Sequence, residues 1–138
     1  MKFFADSSGW IALFDPDDRR YVLVHHWLSE MSGQGHRLVT TDYILDETLT
    51  HLMATVNHDK AETFAGWVLA QKLVQIIHID EALWDEALAL FRRYDDKDFS
   101  FTDCTSFVVM QRLKINDAFG FDHHFKQMKF RLWPRSSN

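Results

Sequence analysis

Apolar positions along this chain follow two alternating spacings. Short runs of consecutive apolar residues occur at Lys2–Ala5, Arg37–Thr40, Val74–Ile79 and Ala118–Phe121. Each is the length of a buried strand. A fifth run, Phe130–Trp133, is closed by Pro134 and reads as a short edge strand. Between the runs the spacing widens to that of helices. A helical turn through Trp10–Phe14 is stopped by Asp15-Pro16-Asp17. Tyr21–Met31 places Val24, Leu28 and Met31 in phase, and Ser32-Gly33-Gln34-Gly35 ends it. Thr41 or Asp42 caps a helix with Ile44, Leu45, Leu49, Leu52 and Met53 on its core side. Asp59–Lys72 brings Ala61, Phe64, Ala65, Val68 and Leu69 into phase. Asp80 caps the next helix, with Leu83, Trp84, Ala87, Leu88 and Phe91 predicted inside. After the polar loop Tyr94–Phe99, Ser100 or Thr102 opens a helix through Val108, Val109 and Leu113.

Strands that alternate with helices predict an α/β fold, with a parallel sheet and helices on both faces. Such sheets bind ligands beyond the carboxyl ends of their strands. Composition agrees with this picture. The 138 residues suit one domain, expected over residues 1–134 with a loose tail at 135–138. Only 5 Gly and 2 Pro disfavour a turn-rich all-β fold. With 12 Phe and 5 Trp, much of the core should be aromatic. A single cysteine, Cys104, excludes an intrachain disulfide and a Cys-rich zinc site. The early charge at Asp6 does not suit a signal peptide, and no apolar run reaches membrane-spanning length. A cytoplasmic protein with no membrane partner is therefore expected.

The net charge of −5 at first argues against a nucleic-acid partner. Its distribution changes that. After Cys104 there are six basic residues against two acidic ones, so this part carries +4 and the rest −9. A basic C-terminal part beside an acidic region suits a metal enzyme acting on phosphates. Two solvated faces would give the same pattern.

Four carboxylates carry the candidate chemistry. Asp6 directly follows the first predicted strand and Asp122 the fourth. Glu47 lies in the first turns of the helix after the second strand. Asp103 lies in the first turn of the helix before the fourth, where a helix N-terminus favours an anion. Carboxylates gathered at one sheet edge repel one another and raise each other's pKa unless a cation sits among them. A hard, oxygen-preferring ion, Mg²⁺ or Mn²⁺, is the natural companion. Each residue also admits a plainer role. Asp6 and Asp122 can cap the segments that follow them, Asp103 can act as a dipole charge, and Glu47 can be an exposed helix residue.

Four segments resemble a known family. They are Phe4-Ala5-Asp6-Ser7-Ser8, Thr41-Asp42-Tyr43-Ile44-Leu45-Asp46-Glu47-Thr48, Asp96-Lys97-Asp98-Phe99-Ser100-Phe101-Thr102-Asp103-Cys104, and Ala118-Phe119-Gly120-Phe121-Asp122-His123-His124-Phe125. Together, in this order and over nearly the whole chain, they resemble the PIN-domain ribonucleases, especially the VapC-type toxins of toxin–antitoxin modules. The resemblance implies a three-layer α/β/α sandwich around a mostly parallel sheet of about five strands. It implies that Asp6, Glu47, Asp103 and Asp122 form a catalytic metal site, with Ser8 and Ser100 as supporting residues. It also implies an RNA substrate, a homodimer, and an apolar groove for a protein antitoxin on the early helices.

Other signals are weaker. Asp98 is a candidate fifth acid, or a solvated loop charge. Asp117 precedes the fourth strand, at the end opposite Asp122. The pair His123-His124 is assigned to structural roles or RNA contacts, because neighbouring side chains point differently. Trp10, Phe14, Tyr21, Trp27, Trp67 and Trp84 are assigned to core or interface over base stacking. Three other readings remain: a PIN nuclease for RNA processing without an antitoxin, a binding module that does not cut, and a phosphohydrolase for small molecules.

Overall fold

The computed structural model describes residues 1–135; the expected tail from Ser136 onward lies outside the described residues. The strands are β1 (Lys2–Ala5), β2 (Arg37–Thr41), β3 (Val74–Ile77), β4 (Asp117–Phe119) and β5 (Arg131–Trp133). The helices are α1 (Ser7–Phe14), α2 (Tyr21–Gly33), α3 (Asp42–Thr55), α4 (His58–Ala70), α5 (Glu81–Arg93), α6 (Phe101–Leu113) and α7 (His124–Gln127). One sheet runs in the order β3-β2-β1-β4-β5, and every pairing is parallel. The predicted edge strand is indeed at the edge.

The chain builds outward from β1 to β2 and β3, then returns to lay β4 on the other flank of β1. Phe4 is therefore in register with Val39 on one side and Ala118 on the other. That reversal makes the carboxyl ends of β1 and β4 a topological switch point, where such sheets leave a crevice.

Alternation along β1 separates two aromatic layers. Phe3 packs edge-on to Trp27 of α2 with centroids 5.3 Å apart, while Phe4 faces Phe125 of α7 at 6.3 Å. On the first face Trp10 of α1 is fully buried against Phe64 and Phe119, and Trp27 stacks on Phe119 at 5.0 Å. On the second, Phe107 of α6 meets Phe125 and Phe130. Helices thus cover both faces, as an all-parallel sheet requires.

Helix starts follow the predicted capping chemistry at Thr41 and Asp80, and α4, expected from Asp59, begins at His58 behind an Asn57 cap that was not predicted. Thr41, Asn57 and Asp80 accept from the backbone N–H three residues on, at 3.1, 2.8 and 2.9 Å. Thr41, not Asp42, caps α3; the Asp42 carboxylate instead accepts from Ile79 N. Among the described residues, no helix is long and apolar enough to cross a membrane.

Several expectations need correction; Met53 of α3 and Leu69 of α4, expected on the core side, are both exposed. α1 begins at Ser7 instead of Trp10. β4 ends at Phe119, so Asp122 lies three residues beyond it instead of directly after it. On α5 the buried stripe is Leu83, Ala87 and Leu90. Trp84 and Phe91, expected inside, are 40% and 43% exposed, because a second apolar stripe flanks the first and packs on Phe101.

Candidate active site

Asp6 ends β1 and occupies the N-cap position of α1, yet its side chain makes no capping hydrogen bond. Its Oδ2 accepts instead from Ser8 Oγ at 2.8 Å. Ser8 Oγ in turn accepts from Phe121 N at 2.9 Å, so one hydroxyl ties α1 to the chain leaving β4. Gly120 makes this approach possible. A Cβ there would stand 2.8 Å from Ser8 Oγ and 3.1 Å from Asp6 Cβ.

Asp103 is held by its own helix. Ser100 Oγ accepts from Asp103 N at 3.0 Å and Ser100 N donates to Asp103 Oδ2 at 3.1 Å, a reciprocal capping box. Ser100 thus supports Asp103 by fixing its rotamer. The same Oδ2 accepts from His124 Nδ1 at 3.0 Å, and that nitrogen lies 3.2 Å from Asp122 Oδ1. His124 therefore joins two of the predicted acids. Asp122 also accepts from His124 N at 2.9 Å, so the plainer capping role is real and coexists with its place in the cluster. Glu47, on an exposed face of α3, accepts from the Ser7 hydroxyl.

The electrostatics show that the acids form one group. Burial pushes the Asp6 carboxyl up to about 7 from its ordinary 3.8. The Ser8 hydrogen bond opposes this, and the charges of Asp122, Glu47 and Asp103 reinforce it. Burial also raises Asp103. The Ser100 N–H and His124 oppose that shift, and Asp122 adds to it. Asp6 thus feels the charge of the other three predicted acids, and Asp103 that of Asp122. Asp98 is exposed, and among the described residues no hydrogen bond or ion pair ties it to this group.

Two residues of the site escaped the sequence reading. Ser7 reaches Glu47 across forty positions, which no local signal announces. His124 was visible as half of a pair, but its contact with Asp103 depends on how α6 and α7 meet. The structure also brings His123 and His124 together, with ring centroids 4.4 Å apart. Ligand atoms of Asp122, His123 and His124 lie within 4.8 Å of one another.

The fold and this site define a class. Residues 3–131 match the PIN domain, and the chain belongs to that family. Among its relatives is the 23S rRNA-specific endonuclease VapC20 of Mycobacterium tuberculosis. It is 30% identical over 128 residues, which cover 92% of this chain and 94% of that one. The crystal structure of VapC20, described as a sarcin–ricin loop cleaving toxin, superposes with a TM-score of 0.83 over 93% of this chain and 95% of that one. A VapC ribonuclease of Archaeoglobus fulgidus is 34% identical over 105 residues, 75% of this chain and 63% of that protein. VapBC2 of Rickettsia felis, solved bound to a promoter DNA fragment, shares the fold at 10% identity with a TM-score of 0.69, covering 96% and 97% of the two chains.

Proposed function

We propose that this chain is an endoribonuclease, the toxin of a toxin–antitoxin pair, and that it hydrolyses RNA phosphodiesters at the acidic cluster beside β1 and β4. The observation that carries the reading is Asp6: a buried carboxyl, pushed up to about 7, surrounded by three further acids. A buried acid so placed weakens the fold when it ionises, which suits a site that receives a cation.

The donor set fits a hard divalent ion, Mg²⁺ or Mn²⁺. Asp6, Asp103 and Asp122 offer carboxylate oxygens, and Glu47 a fourth. When bound, such an ion supplies Lewis-acid polarisation of the phosphodiester and lowers the pKa of a bound water. The chain's own residues do the rest. Ser8 fixes the rotamer of Asp6, Ser100 that of Asp103, and His124 keeps Asp103 and Asp122 turned toward each other. Glu47, open to solvent and steadied by Ser7, orients the attacking water or takes its proton. Water attacks phosphorus directly, so no covalent intermediate on the protein is required.

The reading includes one nuclease domain over residues 1–134, a cytoplasmic location, a homodimer and a protein antitoxin. The naming of VapC20 as a toxin supports the last of these. VapC20 also suggests the first substrate to try, a stem–loop RNA with the sarcin–ricin sequence. Purified protein incubated with that RNA should give discrete fragments in Mg²⁺ or Mn²⁺ and none in EDTA, and Asp6→Asn and Asp103→Asn should give none. Folded wild-type protein that cuts neither this RNA nor total cellular RNA in either metal would refute the proposal.

A further inference from the structure

Next to the acids lies a surface that the chemistry above does not use. A groove of about 1030 Å³ runs from Gly120 and Phe121 along β5 and opens toward the α1–α2 connection. Arg19, Arg20, Lys126 and Arg135 line it together with the rings of Phe121 and Phe130. Among the described residues, no acidic one lines it. Asp15 and Asp18, in the same connection as Arg19 and Arg20, instead accept backbone N–H groups of their own loop, from Asp17 and Arg20.

Among the described residues, Arg19, Arg20, Lys126 and Arg135 form no ion pair; Arg131, also at the groove, is engaged by Asp117. Among the described residues these four cations thus have no carboxylate within ion-pair distance, in a protein of net charge −5, although the charge of Arg135 helps to hold the Asp117 carboxyl low. Two of the guanidinium groups lie over aromatic rings, Arg20 at 4.3 Å from the Phe121 centroid and Arg135 at 4.5 Å from that of Trp133. Stacked guanidinium planes hold phosphates by their edges and bases by their faces. The wall of the groove is tied to the acids: Phe121 N donates to Ser8 Oγ, which donates to Asp6 Oδ2.

We propose that this groove is a binding site for RNA, in which Arg19, Arg20, Lys126 and Arg135 hold the phosphates of the strand on one side of the scissile bond and the Arg20–Phe121 stack supports a base. An acidic peptide would satisfy the charges but has no use for the stack. The proposal rests on the ribonuclease reading, since it takes the scissile phosphate to lie among the acids.

The test measures binding apart from cleavage. A fluorescent sarcin–ricin stem–loop is titrated with the full chain in EDTA, and anisotropy is read across a series of salt concentrations. Arg20→Ala/Arg135→Ala and, independently, Arg19→Ala/Lys126→Ala should each raise Kd on the order of tenfold near 0.1 M salt. Each pair should also lower the salt slope by about 1.4, at roughly 0.7 per single-strand phosphate contact. The second pair contacts no aromatic ring, so it keeps the test valid if the first disturbs folding. Lys2→Ala/Lys72→Ala, at the amino end of the sheet, should change neither quantity. Equal losses in control and groove pairs would overturn the proposal, since the attraction would then be a diffuse field. So would groove variants that lose binding of poly-glutamate while keeping RNA. Metal-dependent cleavage with unaltered RNA binding by the groove variants would sink the groove and leave the nuclease. RNA held in the groove by a wild-type protein that never cuts would do the reverse.

Discussion

Two buried carboxylates sit at opposite ends of the sheet's centre and have opposite fates. Asp117 opens β4 and is 4% exposed; Asp6 closes the adjacent β1 and is 3% exposed. Burial pushes both carboxyls up. Asp117 nonetheless ends below its ordinary pKa, because Arg131 donates to both its oxygens at 2.8 and 3.0 Å and Trp133 Nε1 donates at 2.8 Å. Asp6 has one hydroxyl donor and three acidic neighbours, and rises to about 7. The amino end of the sheet is therefore a completed structural site. The carboxyl end gathers acids whose charges help to raise Asp6 and Asp103, the kind of perturbation that clusters at functional sites.

The sharpest way to break this contrast is to neutralise each acid in turn. Asp6→Asn should lower RNA cleavage on the order of 10³-fold, the several kcal/mol that carboxylate–cation chemistry contributes to the transition state. Asp117→Asn should instead destabilise the fold by about 2 kcal/mol, through lost charge-assisted hydrogen bonds, and spare cleavage at temperatures where the chain stays folded. Thermal melting and hairpin cleavage, run on both variants, would expose any exchange of these roles.

Acidity should separate the two ends next. The folded pKa of Asp6 is raised, so its stabilising contribution is complete below 3.8 and is lost as pH climbs toward about 7. For Asp117 the folded pKa is lowered, so its contribution is present above the ordinary carboxylate value and is lost as pH falls through the depressed one. In EDTA, Asp6→Asn should therefore melt above wild type at pH 8, by about 1–3 kcal/mol, and the gap should close near pH 4. Mg²⁺ should raise the wild-type Tm more at pH 8 than at pH 5, because the ion binds the ionised cluster. A calorimetric series without that trend would mean that Asp6 is not the strained group of the site. The smallest effect concerns Glu47, which is exposed. Glu47→Gln should slow cleavage with a stability change within about 0.5 kcal/mol.

Much of this contrast was legible before any coordinates. Asp6 and Asp122 follow apolar runs, and Glu47 and Asp103 fall in the first turns of helices that flank strands, so local rules placed four acids at one sheet edge. Asp117 was read only as a residue at the far end, since its partners Arg131 and Trp133 become neighbours through the β4–β5 register. The end of β4 was misplaced because Gly120-Phe121 continues the apolar run; the backbone leaves the sheet there to reach Ser8. Trp84 and Phe91 were placed inside because two apolar stripes share α5, and only tertiary packing selects between them. The Ser7–Glu47 and His124–Asp103 contacts join elements distant in sequence, so no spacing rule shows them.

The order of the sheet has a consequence for how the chain is made. β1 is made before β2 and β3, but its second neighbour, β4, follows them only after two further helices, α5 and α6. Until then β1 has an open edge, Ser8 lacks the Phe121 N–H, and two of the four acids do not yet sit beside Asp6. A chain made only as far as α5 therefore lacks the assembled cluster, and the acids come together only once β4 has paired with β1 and α7 has docked.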